Sequence, residues 1–262
     1  MYRRYTCRHV FVWPMPDEHL RIYSAEYFAG GTQGCGYIDY DRDKEPMIPT
    51  FHQYLDRLAH YIRPGRLIDI GAATGFFLGL ARQRGWEVVG IEPSDYAASL
   101  ARSKGLDVRT AVAGSCQLPQ ASFDAITMWD VIEHIPDPRR TISSVASFLK
   151  PGGLIALNTP NSESLVARAL KTNWHLVVPP EHLNLFSKES LRRLLEDHGF
   201  ELLEMRSIGK RFTIKYVLMT LSHRQKLKLL ETATRAVSRR AVGQWAVPIN
   251  LHDNVFVVAR KR

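Results

Sequence analysis

RLIDIGAATGFFLGLARQRGWEVVGIEPS, residues 66–94, decides the fold. An apolar run over 67–70 breaks into small residues, Gly71, Ala72, Ala73, Thr74 and Gly75. Apolar positions at helical spacing follow over 76–85 and stop at Gly85. A second apolar run over 87–92 closes on an acid, Glu92. Strand, small-residue turn, helix and strand are the parts of a βαβ unit.

The same alternation continues on both sides. Residues 94–105 read as a helix with Ser94 as its N-cap and Gly105 past its end. Residues 107–112 and 123–130 read as strands, and 137–153 as a helix stopped by Pro151, Gly152 and Gly153. A strand over 154–160, an amphipathic helix over 188–200 and a strand over 200–208 come next, and an apolar strand over 254–261 closes the chain. Strands alternating with helices of this length give an α/β fold, a parallel sheet covered on both faces.

In such a sheet, ligands bind outside the carboxyl ends of the strands, beside the first one. Gly71 permits a turn that a side chain would oppose, and small residues let backbone approach a ligand. Gly75 opens a helix whose first N–H groups can receive an anion. Glu92 stands where an acid accepts both ribose hydroxyls, so the stretch predicts a nucleoside-containing cofactor. A dinucleotide fingerprint would place glycines where Ala73 and Phe76 stand. That weighs against a nicotinamide-dependent reductase, which stays as an alternative beside a catalytically inactive cofactor-binding module.

Composition sets the outer limits. The chain has 262 residues, 45% of them hydrophobic, enough for one large α/β domain and an appendage. No apolar run approaches the roughly 18 residues of a membrane-spanning helix, and the first twenty residues lack a signal-peptide pattern. Cys7, Cys35 and Cys116 are too few and too scattered for a disulfide framework, which fits a reducing cytoplasm. The net charge of +9 concentrates between Lys210 and Arg240, a run with one acid, Glu231. No nucleic-acid-binding motif accompanies it. The run reads as a solvated helical face, or as a surface for anionic lipid or a phosphorylated substrate.

Four stretches occur in order: residues 67–94, then SFDAITMWDVIEHIPDP, FLKPGGLIALNTPN and PPEHLNLFSKESLRRLLEDHGF. Together they resemble the class I S-adenosylmethionine-dependent methyltransferases, in the branch similar to ubiquinone-type O-methyltransferases. The resemblance covers about residues 60–208 and the terminal strand. It implies a Rossmann-like seven-stranded sheet whose last strand, 254–261, is antiparallel. Asp69, Gly71, Ala72, Ala73 and Gly75 match the first motif, whose loop holds the methionine part of the cofactor. Ala73 replaces the commoner glycine. Glu92 with Pro93 matches the ribose-binding site, Ser115 stands near where relatives carry an acid beside the adenine, and Trp129 with Asp130 matches the cofactor-contacting end of the fourth strand.

A sulfonium methyl is already electrophilic, so the protein chiefly aligns the nucleophile, and a hydroxyl acceptor also needs a base. His182, on the loop after the fifth strand, is the first candidate base; His134 is the second and doubles as a loop-orienting residue. Asp130, Glu133 and His134 match a stretch associated with a divalent cation in ubiquinone-type enzymes, but no metal is expected here. The acceptor is expected to be a small molecule or a glycan precursor methylated at oxygen, with no nucleic-acid partner.

Residues 1–60 are expected to pack on the catalytic domain, 61–262, as an extension or lid. The leader is similar to one that binds zinc through paired cysteines in some relatives. Arg4 stands where a partner for Cys7 belongs, so no zinc is expected. Tyr23, Tyr27, Phe28 and Tyr37 read as core or lid aromatics. Residues 209–250 form a basic helical insertion with three open readings: a lid, a dimer surface, or peripheral membrane contact through 209–240.

Overall fold

The computed structural model describes residues 2–3, 7–16, 25–29, 39–214 and 245–262. The first elements are short: β1 (Tyr2–Arg3), β2 (Val10–Phe11), α1 (Ala25–Phe28) and α2 (Tyr40–Lys44), followed by a long helix, α3 (Ile48–Tyr61). The alternating core then runs β3 (Arg66–Ile70), α4 (Phe76–Gln83), β4 (Glu87–Glu92), α5 (Asp95–Ser103), β5 (Asp107–Thr110), β6 (Phe123–Trp129), α6 (Pro138–Ala146) and β7 (Leu149–Pro160). It continues through α7 (Leu165–Leu170), β8 (Asn184–Leu185), α8 (Lys188–Glu196) and β9 (Phe200–Arg206). A pair, β10 (Lys210–Thr213) and β11 (Ala246–Ile249), precedes the last strand, β12 (Asn254–Lys261).

Seven strands form one sheet in the order β5-β4-β3-β6-β7-β12-β9. The strands β3, β4, β5, β6 and β7 pair in parallel, whereas β12 runs antiparallel to both its neighbours, β7 and β9. The strand order reverses around β3, with β4 on one side and β6 on the other, so the loops after these three strands bound one crevice. Leu67, Ile68, Ile126, Ile155 and Val257 are fully buried, as central strands covered on both faces require.

The local signals act as their chemistry predicts. The Ser94 side chain caps α5, Asp137 caps α6 with Pro138 in the first turn, and Ser187 with Ser190 forms a capping box on α8. Two segments differ from the expected pattern. The helix expected to run from 137 to the Pro-Gly-Gly ends at Ala146, and Leu149–Gly153 already belongs to β7. Phe148 and Leu149 are buried, and Leu149 pairs with Phe123 across a register shift that accommodates Pro151. The insertion, expected to be helical from 209 to 250, begins and ends as the antiparallel pair β10–β11; its stretch 215–244 lies outside the described residues. Among the described residues no helix is long and apolar enough to cross a membrane.

The segment before β3 is built into this frame. Phe51, Tyr54, Leu55 and Leu58 of α3 share a core with Leu67, Phe77 and Phe256. Tyr54 stacks on Trp129 with ring centroids 4.5 Å apart. Further upstream, β2 pairs with β8 and His9 meets the Asn184 side chain at 2.9 Å.

Candidate functional site

The crevice at the carboxyl ends of β3, β4 and β6 holds a cavity of about 600 Å³. Gly71, Ala73, Glu92, Pro93 and Ser115 stand on its wall, as do Trp129, Asp130, His134 and His182. One cavity therefore unites most of the residues singled out in the sequence. Asp69, Ala72 and Gly75 lie off that wall. Asp69 and Ala72 border a hollow of about 20 Å³ beneath the turn, which also touches Gly71, Trp129 and Asp130.

The turn is braced from below. Asp69 lies between Gly90 and Thr127 of the neighbouring strands, and the Thr127 hydroxyl donates to Asp69 Oδ1 at 2.6 Å. Burial pushes the Asp69 carboxyl up to about 8, with the charge of Glu92 adding to the shift. Gly71 has φ +75°, and a Cβ on it would lie 2.5 Å from Val131 Cγ2, so glycine makes room for the loop after β6. Gly75 has φ +76°, and its Cβ would fall 2.4 Å from Leu106 Cδ1, which makes it a packing glycine against the end of α5. Ala73 takes φ +49° without glycine's freedom. Its methyl packs with Phe28 and Ala97, and its N–H donates to Glu92 Oε2 at 2.9 Å.

Glu92 is 4% exposed and accepts a second bond from the Ser94 N–H to Oε1 at 2.9 Å. Burial raises its pKa to about 7 against the pull of these two donors. Each carboxylate oxygen keeps a further lone pair, and Glu92 stands on the cavity wall, an arrangement that suits two adjacent hydroxyls. Ser115 turns its hydroxyl back to Val112 O at 2.8 Å, so at the cavity wall it offers backbone rather than its side chain.

The far end is charged. Asp130 has φ +54°, and its Oδ1 accepts from Asn158 Nδ2 at 2.6 Å and from Lys210 Nζ at 2.5 Å. Burial works to raise its pKa, but the ammonium groups of Lys210 and Lys44 with these hydrogen bonds hold it below the ordinary carboxylate value. Glu133 is 1% exposed and accepts from Thr159 Oγ1 at 2.9 Å; burial, then the charge of Asp130, pushes it up to about 7.

The two histidines meet edge to face with ring centroids 4.8 Å apart. His134 Nδ1 lies 2.8 Å from Glu181 O and His182 Nδ1 lies 2.7 Å from Leu176 O. A carbonyl only accepts, so both Nδ1 atoms carry the hydrogen and both Nε2 atoms are the basic nitrogens. Burial, then His134, lowers His182 to about 4, and burial lowers His134 as well. One ligand atom each from Glu133, His134 and His182 lies within 4.8 Å of the others, a donor set open to a divalent cation. The set suggested by the resemblance differs: Asp130 is bound to Lys210 instead of joining Glu133 and His134.

The roof comes from the N-terminal extension and the insertion, the two segments that the sequence offered as lids without naming any of their residues as site residues. Tyr27, Phe28, Lys44 and Met47 enter from the N-terminal part, and Lys210 and Phe212 from β10. Phe28 is buried, and Tyr27 donates from its hydroxyl to Glu181 Oε1 at 3.3 Å. Tyr23, Tyr37 and Cys35 lie outside the described residues; Cys7 and Cys116 are free thiols. Lys210 and Arg211 open the basic run, yet Lys210 is only 17% exposed and turns inward to Asp130, while Arg211 is half-buried. Nothing in the sequence separates Lys210 from the basic residues that follow it.

A family model described as "Methyltransferase domain" matches residues 41–205. The ubiquinone biosynthesis O-methyltransferase of Saccharophagus degradans is 27% identical over 208 residues, 73% of this chain and 87% of that protein. Its namesake from Stutzerimonas stutzeri is 35% identical over 104 residues, 37% of this chain and 44% of that protein. Among solved structures, a SAM-dependent methyltransferase from Thermotoga maritima, described as a possible histamine N-methyltransferase, superposes with TM-score 0.56 at 23% identity, covering 85% of this chain and 95% of that one. Geranyl diphosphate C-methyltransferase from Streptomyces coelicolor, solved with Mg²⁺, geranyl diphosphate and S-adenosyl-L-homocysteine, gives 0.53 at 16% identity, covering 80% and 79%. Identities this low establish a shared fold.

Proposed function

The chain belongs to the methyltransferase-domain family and is an S-adenosylmethionine-dependent methyltransferase; from that premise we propose that it methylates a hydroxyl oxygen of a small, largely apolar acceptor. The names of its relatives make an intermediate of ubiquinone biosynthesis the first acceptor to try. The observation that carries this reading is the continuity of one cavity from Glu92 to the pair His134–His182.

Bound there, S-adenosylmethionine supplies a methyl group already activated by its sulfonium. Glu92 accepts the two ribose hydroxyls with the lone pairs its own N–H bonds leave over. Pro93 and the backbone at Ser115 would flank the base, and the turn from Gly71 to Ala73 would hold the methionine part. Asp69, Ala72 and Gly75 act from beneath, holding that turn in shape. Trp129 and Asp130 would border the cofactor where the cavity continues toward the acceptor half.

Tyr27, Met47, Leu176 and Phe212 give the acceptor half of the cavity apolar walls that exclude water. His182 takes the hydroxyl proton on Nε2, since the Leu176 carbonyl fixes the hydrogen on Nδ1. Glu133 stabilises the imidazolium that forms, and His134 orients the loop through Glu181 O. Near Asp130 the Lys210 ammonium already holds the positive charge a cation would bring. We therefore assign the reaction no metal, and activity after exhaustive chelation should equal that of untreated protein.

The reductase alternative finds no support in these residues. Phe76 stands where a third glycine would have to be and packs against Phe51. The deciding experiment is a screen of hydroxylated aromatic and glycan-precursor acceptors, read by release of S-adenosylhomocysteine and by the position of the new methyl. An O-methyl product supports the reading. Methylation at nitrogen or carbon, or product with every acceptor unchanged by loss of its hydroxyl, overturns it.

A further inference from the structure

Three cations border the cavity, Lys44, Lys210 and Arg140, and two of them act on one acid. Lys210 is paired with Asp130, and the charge of Lys44 acts on the same carboxyl. Arg140 stands apart, exposed in the first turn of α6. Its N–H donates to the capping Asp137, while its guanidinium makes no ion pair or hydrogen bond among the described residues. Beside it, Thr141 is only 6% exposed and also stands on the cavity wall. The Thr141 N–H donates to Asp137 O at 3.1 Å, but its hydroxyl makes no hydrogen bond among the described residues. A buried hydroxyl without a partner is costly, and a polar group inside the cavity can complete it. A guanidinium, a hydroxyl and the positive end of a helix all favour the same guest, an oxyanion.

We propose that Arg140 and Thr141 receive an anionic group of the methyl acceptor, a carboxylate or a phosphate, and that this group decides which acceptors are taken. The proposal rests on the O-methylation reading and narrows its substrate class to an apolar body with a hydroxyl at one end and an oxyanion at the other.

The spacing between the two ends is built into the wall. Residues 134–137 line the cavity from His134, which meets His182, to the start of α6. Asn184 donates to Ile135 O at 2.7 Å, and Asp137 caps the helix by accepting the Arg140 N–H at 3.0 Å. On the far flank, Ser144 donates to Gly114 O at 3.1 Å, tying the loop after β5 to the same helix. The acids of this stretch are already engaged, Glu133 with Thr159, Glu181 with Tyr27 and Asp137 with its own helix. An acceptor whose hydroxyl lies at His182 therefore meets Arg140 and Thr141 across a braced segment.

Binding to protein saturated with S-adenosylhomocysteine tests this with three probes, 3,4-dihydroxybenzoate, 3,4-dihydroxybenzyl phosphate and the neutral 3,4-dihydroxybenzyl alcohol. At least one anion should bind about tenfold more tightly than the alcohol, as a charge-assisted hydrogen bond allows. The tighter anion tells a carboxylate acceptor from a phosphorylated one. Arg140→Gln should abolish the preference, Arg140→Lys should keep part of it, and Thr141→Val should reduce it about threefold. Each variant should leave the alcohol and S-adenosylhomocysteine within about twofold of their original affinities. Arg139→Gln, off the cavity wall and paired with Asp197, should change nothing. Equal binding of the three probes, binding of none, or a preference that survives Arg140→Gln overturns the proposal. Loss of S-adenosylhomocysteine affinity in Arg140→Gln also overturns it, because the guanidinium would then serve the cofactor. If an anion binds through Arg140 yet is never methylated at oxygen, this site stands and the hydroxyl reading fails. Should S-adenosylhomocysteine itself not bind, the cofactor reading falls, and the same comparison on the unliganded protein still decides Arg140.

Discussion

The two halves of the cavity are built in opposite ways. The half around Glu92 is built chiefly from one continuous stretch, residues 69–94, in which backbone and side chain close on each other, Ala73 N–H and Ser94 N–H both donating to Glu92, with Thr127 of the neighbouring strand bracing Asp69. The half around His182 is assembled from segments far apart in the chain, with Tyr27 against Glu181, 154 residues on, and Lys210 against Asp130, 80 residues back. A site made by a local turn is fixed when the βαβ unit folds. A site made by distant side chains depends on how the N-terminal part and the insertion dock. The first kind suits a ligand common to many enzymes, the second a ligand particular to one.

The sharpest break in that comparison is His182→Ala. It should lower turnover on the true acceptor by about 10²–10⁴-fold, the share a placed base contributes. Affinity for S-adenosylhomocysteine should stay unchanged, because His182 belongs to the other half. Equal losses of turnover and cofactor affinity would erase the division.

Glu92→Gln should act the other way round. It replaces a carboxylate that accepts two backbone N–H groups with an amide that sets an NH₂ against one of them, costing about 1–3 kcal/mol of stability. Cofactor affinity should fall at least about tenfold as the ribose loses an ionised acceptor. Thermal unfolding and calorimetry on one preparation measure both. A variant that binds cofactor normally would remove Glu92 from the site.

The smallest effect concerns Asp69, buried beneath the turn. Its folded pKa, about 8, lies above the ordinary carboxylate value, so the folded state binds the proton more tightly than the unfolded chain. This contribution is complete at low pH and is lost as pH rises through 8. Between pH 7.5 and 8.5 the two lowered histidines are neutral in both states and Glu92 and Glu133, raised to about 7, are mostly ionised, so Asp69 dominates the pH dependence. Stability should decline there by about 1 kcal/mol per pH unit, and Asp69→Asn should flatten the slope. An unchanged slope would show that Asp69 titrates normally.

The same contrast explains what could be read from the sequence. The strands over 87–92 and 254–261, the Ser94 cap and the Glu92 position were all legible, because each depends on periodicity or on a partner a few residues away. Residues 149–153 were not. A Pro-Gly-Gly signals the end of a helix equally well whether the chain leaves into a loop or, as here, into a strand that starts early to bury Phe148 and Leu149. Lys210 was hidden inside a basic run, and only its ion pair with Asp130, 80 residues away, distinguishes it. Gly75 was legible as a glycine but not in its purpose, since its neighbours Leu106 and Ala101 come from the next unit.

The central claim is that the turn after β3 and the acid ending β4 form a receptor for one adenosyl cofactor. Titration of the protein with S-adenosylhomocysteine in a calorimeter, at several temperatures and with NADH in a parallel run, tests it most directly. The account predicts saturable one-to-one binding of S-adenosylhomocysteine with a negative heat-capacity change, and no competition by NADH. Absence of heat with S-adenosylhomocysteine at every temperature, or its displacement by NADH, would contradict it.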